Sequence, residues 1–267
     1  MGAVDYRFFR VSAGEVSLII DVIRRAGQPG IEIRASYWSG SQQGVARVHP
    51  AVIPGPMDLP APDAVGPLVR SAGAVGEVSW DLAIRPGDLL VDPRGGPLRH
   101  LKAFDVQIVS RPDALFQGWI DIGGTRTHVE ARGLLCHYWG RRLPESWSWV
   151  SVNVPGLIVD AVVGMSRLWG LPWPRLPVGY VFVAAGGRQA LRIGPLNSIV
   201  RTRGNAAAFT ITASRPGERL RLDCRADAGS YNDLGEGIQQ TLRGDAAIDG
   251  WAATVGRAGL EVRHTPS

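Results

Sequence analysis

Three of the nine tryptophans, Trp139, Trp147 and Trp149, fall within eleven residues of the chain. On a strand, Trp147, Trp149, Ser151 and Asn153 share one face, because alternate side chains point the same way. Aromatic residues on a strand are typical of a packed core. Indole faces are equally suited to line a cavity for an extended apolar or cationic ligand. The spacing leaves both interpretations open, and the two polar side chains favour the cavity because a closed core seldom contains such a pair.

Titratable side chains precede these tryptophans. His128 and Glu130 lie two residues apart on a predicted strand, and therefore share a face. His137 lies beyond Gly133, where a bulge could change the face on which it lies. The five histidines show no HExxH or HxH spacing, so no metal site is predicted. A lone histidine is more often a hydrogen-bonded structural residue than a catalyst.

The segment Asp121-Ile-Gly-Gly-Thr125 matches the DIGGT phosphate-binding hairpin of actin-like sugar kinases. Here it lies mid-chain, with no downstream glycine-rich nucleotide motif and no alternating helices. Paired glycines supply the positive φ angles of a two-residue hairpin turn. We therefore interpret Gly123-Gly124 as a turn. GxxxxGK[ST], GxSxG and a GxGxxG after a strand are also lacking, so no nucleotide or other cofactor is expected.

The composition argues against several other classes of function. Lys102 is the only lysine, which disfavours Schiff-base chemistry, and the net charge of +5 comes from scattered arginines rather than a basic stripe. We expect no nucleic-acid partner. Cys136 and Cys224 form neither a disulfide framework nor a zinc spacing, and are expected to be buried thiols of a reducing compartment. The start lacks a signal-peptide pattern and the longest apolar runs contain Asp21 or Asp160, so we expect a cytoplasmic protein without stable membrane insertion.

Hydrophobic residues alternate with period two between glycine and proline breaks, which predicts an all-β protein with little helix. Six prolines in Pro50–Pro67 predict a surface loop or lid, and Pro86–Pro97 and Gly170–Pro177 are further breaks. A domain boundary is placed near residue 155, giving domains 1–155 and 156–267. The strand candidates are Val16–Ile23, Ile31–Trp38, Val78–Ile84, Ala103–Val109, Thr127–Cys136, Trp147–Val154, Leu157–Val163, Val178–Ala185, Ala207–Ala213, Arg219–Arg225 and Gly237–Arg243.

One run of about thirty residues resembles a known signature. It reads Gly133-x-x-x-His137-x-Trp139-Gly140-x-x-x-Pro144-x-x-Trp147-x-Trp149-x-x-x-Asn153. It is similar to the tocopherol cyclase family, and to the related carotenoid 1,2-hydratases and lipocalin-type Diels–Alderases. The upstream stretches around Trp80-Asp81 and Trp119-Ile-Asp121 are similar to the preceding strands of that family. Tyr138 stands where the hydratases often have asparagine.

The resemblance implies two lipocalin-like antiparallel β-barrel or sandwich domains around an apolar pocket. It also implies cofactor-free chemistry: alkene protonation followed by ring closure or water capture, or pericyclic closure of a polyene. Such protonation needs a desolvated acid and aromatic faces beside the cation. The candidate catalytic residues are Glu130, His137, Asp121 and Asp81, with Glu130 or protonated His137 as the donor. The candidate substrate-binding residues are Trp80, Tyr138, Trp139, Trp147, Trp149, Ser151 and Asn153, with Asn153 orienting the polar end of the substrate.

Three functions remain open at this point. The first is a cyclase or hydratase of an extended isoprenoid or polyene. The second is a polyketide pericyclase, which needs cavity shape and a hydrogen-bond donor but no proton transfer. The third is a non-catalytic carrier of a hydrophobic small molecule, which needs the pocket but no buried acid.

Overall fold

The computed structural model describes residues 4–40, 42–57, 59, 62, 66, 68–93, 106–141, 143–167, 175–194, 198–249 and 252–263. Strands make up most of this part of the chain, and it contains no α-helix. The all-β prediction is therefore confirmed. No helix in the described ranges is long and apolar enough to cross a membrane.

Eight antiparallel strands form the first sheet, in the order β4-β3-β2-β1-β8-β7-β6-β5. Its edges approach each other, because β5 contacts both β3 and β4, so the sheet curls around its own core. The strands are β1 (Val4–Ala13), β2 (Val16–Arg25), β3 (Ile31–Ser39), β4 (Gln42–Val48), β5 (Val69–Val75), β6 (Val78–Arg85), β7 (Val106–Ile122) and β8 (Thr125–Gly140).

The second sheet has ten strands and repeats this order. It runs β12-β11-β10-β9-β18-β17-β15-β14-β13, with β16 paired to β17, and β13 contacts β11 and β12. The strands are β9 (Ser146–Val154), β10 (Leu157–Arg167), β11 (Arg175–Ala185), β12 (Arg188–Gly194), β13 (Ile199–Gly204), β14 (Ala208–Arg215), β15 (Glu218–Arg225), β16 (Asn232–Gly235), β17 (Ile238–Ile248) and β18 (Ala252–Arg263).

The chain divides into two units, and the division falls before β9. The first unit comprises Met1–Asp92 and Gln107–Arg142, and the second includes Leu143–Ser267. The sequence instead placed the boundary near residue 155, after β9. In the structure Pro155 and Gly156 form the hairpin turn between β9 and β10, which pair along their length. The proline and glycine therefore mark a turn inside the second unit.

Each sheet buries one continuous apolar cluster on its inner face. Phe9, Trp80, Phe116 and Leu135 belong to the first cluster. Val150, Val159, Val181 and Leu222 are examples from the second. Both cysteines are free and buried, and burial raises the pKa of the Cys224 thiol, so it stays protonated and unreactive.

The proline-rich segment is only partly the surface loop that the sequence predicts. Val52 is 77% exposed, whereas Met57, in a 3-10 turn at Gly55–Met57, is buried in the first core cluster. Leu59 is fully buried in the same cluster. Much of the segment between Met57 and Pro67 lies outside the described residues, as do residues 94–97 of the second break and residues 170–174 of the third.

Candidate functional site

The direction of each side chain on β8 is fixed by its partner strand. β1 and β8 pair without a register shift from Val11–Gly133 to Val4–Gly140. Because Leu135 belongs to the inner core cluster, His137 and Trp139 lie on the same inner face. The bulge considered at Gly133 does not occur. The inner face therefore continues beyond the apolar core into an aromatic and ionisable region.

Strand β1 places two charged residues opposite this region. Arg7 is paired with His137, and Asp5 with Trp139. Both lie on the same face of β1 as the core residue Phe9. We call Asp5, Arg7, His137 and Trp139 the inner polar cluster. Sequence reasoning singled out His137 and Trp139 but missed Asp5 and Arg7, whose strand lies more than 120 residues earlier in the chain.

Within the inner polar cluster, the imidazole of His137 lies between a carboxylate and an indole. Its Nε2 lies 3.3 Å from Asp5 Oδ1, an ion-pair distance when the ring is protonated. The imidazole stacks on the Trp139 ring, with centroids 4.4 Å apart and planes 26° apart. His137 is buried and only 9% exposed. The ring is thus held by two neighbours in a largely water-free position.

Asp5 is held in its ionised form. His137 lowers the pKa of the Asp5 carboxyl most, partial burial opposes this effect, and the Arg7 guanidinium lowers it further. Arg7 Nε and Nη2 lie 3.2 and 3.4 Å from the two carboxylate oxygens. A carboxylate beside an imidazole orients the ring. The pair therefore has the composition of a general acid with its orienting group.

Arg7 also joins the cluster to the proline-rich segment. Its Nη1 donates a hydrogen bond of 2.8 Å to the Leu59 carbonyl oxygen. Met57 packs closely over Gly73, where an added Cβ would lie 2.2 Å from the methionine Cε. Arg7 therefore contacts both Asp5 and the proline-rich segment.

Glu130, the first candidate donor, lies on the other face of β8. It is exposed between Val129 and Ala131, which both pack in the core. The expectation of a buried acid at Glu130 is therefore wrong, because its carboxyl is in contact with water.

The other two candidate acids, Asp121 and Asp81, also lie outside the inner face. Asp121 Oδ1 accepts a hydrogen bond of 2.9 Å from the Gly124 amide. Gly123 and Gly124 have φ angles of 60° and 85°, so the hairpin interpretation of DIGGT is confirmed. Asp81 forms two hydrogen bonds with Arg70, at 2.8 and 2.6 Å, which lower the pKa of its carboxyl. Neither group is placed to donate a proton inside the sheet.

Two further residues of the predicted pocket have different surroundings from those expected. Trp80 packs in the first core cluster, and its Nε1 donates to Ser71 Oγ at 3.0 Å. Tyr138 lies on the outer face of β8, opposite to His137, because adjacent strand residues point to opposite faces. Its ring contacts Tyr6, with centroids 6.5 Å apart.

The Tyr6 hydroxyl belongs to a buried charge network on that outer face. It donates to Asp21 Oδ1 at 2.8 Å, and Arg34 Nε donates to Asp21 Oδ2 at 2.6 Å. Burial raises the pKa of the Asp21 carboxyl and the Arg34 charge opposes that effect. Both charged groups have hydrogen-bond partners, which is the usual condition for keeping an ion pair buried.

In the second unit, β9 carries the tryptophan face that the sequence predicts. Trp147, Trp149, Ser151 and Asn153 are all buried and lie opposite to the core residue Val150 and its neighbours. The prediction that they share a face is therefore confirmed in backbone terms. Trp139 belongs to the first unit, so the three tryptophans do not belong to a single sheet.

Hydrogen bonds tie this face to a buried carboxylate. Trp147 Nε1 donates to Glu261 Oε1 at 2.8 Å, and Gln240 Nε2 donates to Glu261 Oε2 at 2.7 Å. Ser151 Oγ and Asn153 Oδ1 lie 3.4 Å apart. The polar side chains of β9 therefore belong to a wider buried polar layer, which includes residues of β17 and β18.

A second acid that sequence reasoning missed lies on the neighbouring strand. Asp160 is fully buried, is paired with Ser151, and accepts a hydrogen bond of 2.6 Å from the Tyr180 hydroxyl. In the sequence, Asp160 stands out only as an interruption of an apolar run. A single aspartate within an otherwise apolar strand was the available signal, because such a residue is retained only with a partner.

The fold alone places the chain in a structural class. The chain has a lipocalin-like all-β fold of two antiparallel sheets, each around its own core. No family model matches the sequence, and no curated protein matches it.

Two solved structures share the fold over nearly the whole chain. One is a candidate AttH from Nitrosomonas europaea, with a TM-score of 0.57 and 15% identity, covering 98% of this chain and 91% of that one. The other is kievitone hydratase from Nectria haematococca, with a TM-score of 0.62 and 10% identity, covering 99% and 89%. At these identities the likeness concerns the fold.

Proposed function

We propose that the protein is a cofactor-independent hydratase or cyclase of an extended apolar alkene, with His137 as the proton donor. The observation that carries the proposal is the His137–Asp5 pair on the inner face, stacked on Trp139. The hydratase activity named for the structural neighbour from Nectria haematococca is consistent with it. The isoprenoid or polyene nature of the substrate, and a cytoplasmic location, are parts of the same proposal.

The proposed reaction starts with one proton transfer. Protonated His137 gives a proton to one alkene carbon, and the positive charge forms on the other carbon. Asp5 Oδ1 lies 3.3 Å from Nε2, so the proposal assigns the transferred proton to Nδ1. The Trp139 indole, which contacts the imidazole, lies where a π face can stabilise the cation. Water or an internal hydroxyl then adds to the cation and loses a proton, which returns to the imidazole.

The buried Asp160–Tyr180 pair is the second candidate for the acid. Asp160 is shielded from water and lies on the strand next to Trp149 and Ser151. It supports the same reaction class with a different donor. A comparison of Asp160→Asn with the His137 variant assigns the role.

Two other functions make different demands on these residues. A pericyclase closes a polyene through cavity shape, and a carrier only binds its ligand. Neither requires the ionised Asp5 beside a buried histidine, so the inner polar cluster favours the proton-transfer enzyme.

The test replaces His137 with glutamine. Wild-type protein is incubated with a panel of prenylated phenols, acyclic carotenoids and linear polyenes, and products are identified by mass spectrometry. His137→Gln should lower turnover by about 10² to 10⁴, the usual contribution of general acid catalysis. The same variant should bind the ligand as tightly as wild type does. We expect a micromolar dissociation constant, about 8 kcal/mol, measured by quenching of tryptophan fluorescence.

His128→Gln is the matched control, because His128 is exposed on the same strand. It should retain full turnover. Undiminished turnover in His137→Gln, with a large loss in Asp160→Asn, would transfer the donor role to Asp160. Undiminished turnover in both variants would refute the proton-transfer enzyme.

A further inference from the structure

The outer face of β13, β14 and β15 forms an arginine-lined groove. Val200, Ile211 and Leu222 point into the second core cluster, so the residues between them point outward. The groove has a volume of about 510 Å³ and is open to solvent. It is lined by Ile199, Arg201, Arg203, Thr210, Thr212, Ser214, Arg219 and Arg221. We call this set the arginine groove.

Most of the positive charge in the arginine groove is uncompensated. Arg201, Arg203 and Arg219 are exposed, and no acidic residue in the described ranges forms an ion pair with them. Arg221 does have a partner, since its Nε lies 2.8 Å from Asp223 Oδ2. Three guanidinium groups thus face solvent on one side of a three-stranded segment. Such a face attracts anions.

Strand pairing places hydroxyl groups between the arginines. Thr212 lies opposite Arg201 on one side and opposite Arg221 on the other, and Ser214 lies opposite Arg219. Neighbouring strands are about 4.8 Å apart, so the two flanking strands are roughly 10 Å apart. An anionic oxygen cluster above Thr212 can therefore accept hydrogen bonds from the Arg201 guanidinium and from the hydroxyl.

An apolar cleft adjoins the arginine groove and shares Ile199 and Ser214 with it. The cleft has a volume of about 610 Å³ and is lined by Leu176, Pro177, Ser198, Ile199, Val200, Ser214, Arg215 and Pro216. Ile199 is 59% exposed although it is a large apolar residue. Arginines beside an exposed aliphatic side chain match the chemistry of a bilayer surface, where phosphates lie above acyl chains.

We propose that the arginine groove and its apolar cleft dock the protein onto an anionic lipid bilayer. The arginines contact headgroup phosphates, and Ile199 reaches the boundary with the acyl chains. A nucleic acid is a poorer fit, because no lining residue of the groove is aromatic and bases would have no stacking partner. The proposal does not depend on the proposed reaction. If that reaction takes place, docking brings the protein to the phase into which apolar alkenes partition.

The test measures co-sedimentation of the full chain with vesicles of phosphatidylglycerol and phosphatidylcholine, and with vesicles of phosphatidylcholine alone. Wild-type protein should bind the anionic vesicles, and the bound fraction should fall as the salt concentration rises. Each arginine near an anionic surface is worth about five-fold in partitioning. The double variant Arg201→Gln/Arg219→Gln should therefore weaken binding by about 25-fold, and Ile199→Ser by a smaller factor.

The matched control is Arg243→Gln/Arg257→Gln, which removes the same charge from exposed positions on β17 and β18. It should bind nearly as wild type does. An equal loss in this control would show attraction by net charge only and would overturn the proposal. The proposal would also be overturned if the wild-type protein did not bind anionic vesicles. The same holds if it bound inorganic phosphate or duplex DNA through these arginines but did not bind vesicles. Turnover by His137 is measured separately and does not enter this outcome.

Discussion

His137 illustrates how a single side chain acquires a chemical role from its neighbours. Alone, an imidazole on a strand is an ordinary polar residue. Here Asp5 lies 3.3 Å away, Trp139 stacks on the ring, and Arg7 holds the carboxylate. The carboxylate fixes which nitrogen faces away from it, and the indole excludes water from one face.

The coupling between His137 and Asp5 can be tested without a substrate. His137 is the largest cause of the lowered pKa of Asp5, so His137→Gln should raise that pKa toward its ordinary value of 3.8. The lowered pKa means that Asp5 contributes stability above its unfolded-state pKa, and that this contribution is lost as pH falls through the folded value. The variant should therefore lose slightly less stability on acidification.

Carboxyl ¹³C resonances of Asp5 followed between pH 2 and 6 give the measurement. His128→Gln should leave the Asp5 titration unchanged. An unchanged Asp5 titration in His137→Gln would mean that the two side chains do not interact in solution.

At this scale the sequence predicted part of the site and missed the rest. The alternation of Val129, Ala131 and Leu135 marks the inner face of β8, and places His137 inside and Glu130 outside. The expectation of a buried Glu130 is wrong because Glu130 lies between Val129 and Ala131, on the opposite face of the strand. Asp5 and Arg7 could not be found, since they join the site through the pairing of the first strand with the eighth. Nothing local in the sequence specifies that pairing.

Two of the strands that the sequence pattern did not predict, β1 and β18, bury charged side chains. β1 contains the buried Arg10, and β18 contains the buried Glu261 between Leu260 and Val262. Simple alternation of apolar and polar residues identifies strands with one wet face. Where both faces are buried and one is hydrogen-bonded, as in the Asp21–Arg34–Tyr6 network, that alternation disappears. The predicted strands overlap β2, β3, β6, β8, β9, β10, β11, β14, β15 and β17, because these alternate apolar and polar residues or carry an apolar run.

Gly179 in β11 has no room for a side chain, because the backbone of β10 lies close to it. Gly179 has φ +150°, and an added Cβ would lie 1.9 Å from the Val162 carbonyl oxygen on β10. Gly179→Ala should therefore destabilise the protein by about 3 kcal/mol or more, since strain and overpacking act together.

Gly156 is the matched position, because it has φ +80° but open space around the missing Cβ. Gly156→Ala should cost only about 1 kcal/mol. Urea unfolding of both variants gives the comparison. Equal losses would contradict the close packing of β10 against β11.

Considered as a whole, the molecule uses one strand order twice. In each sheet the first four strands extend outward in chain order, and the first strand pairs with the last, β1 with β8 and β9 with β18. The sequence shows no repeat of fixed period. Many different sequences can form alternating strands and turns. The two halves can therefore share a topology without sharing sequence identity. The all-β class was therefore predictable, whereas the boundary before β9 was not.

The central claim for the whole molecule is that it transfers a solvent-derived proton to an alkene carbon. The direct measurement is turnover in deuterated water, with mass-spectrometric and NMR analysis of the product formed from the prenylated phenol, carotenoid and polyene panel. Wild-type protein should place one deuterium on the former alkene carbon, and His137→Gln should form that product at least 100-fold more slowly. A wild-type product that carries no solvent deuterium would contradict the account and indicate pericyclic closure instead.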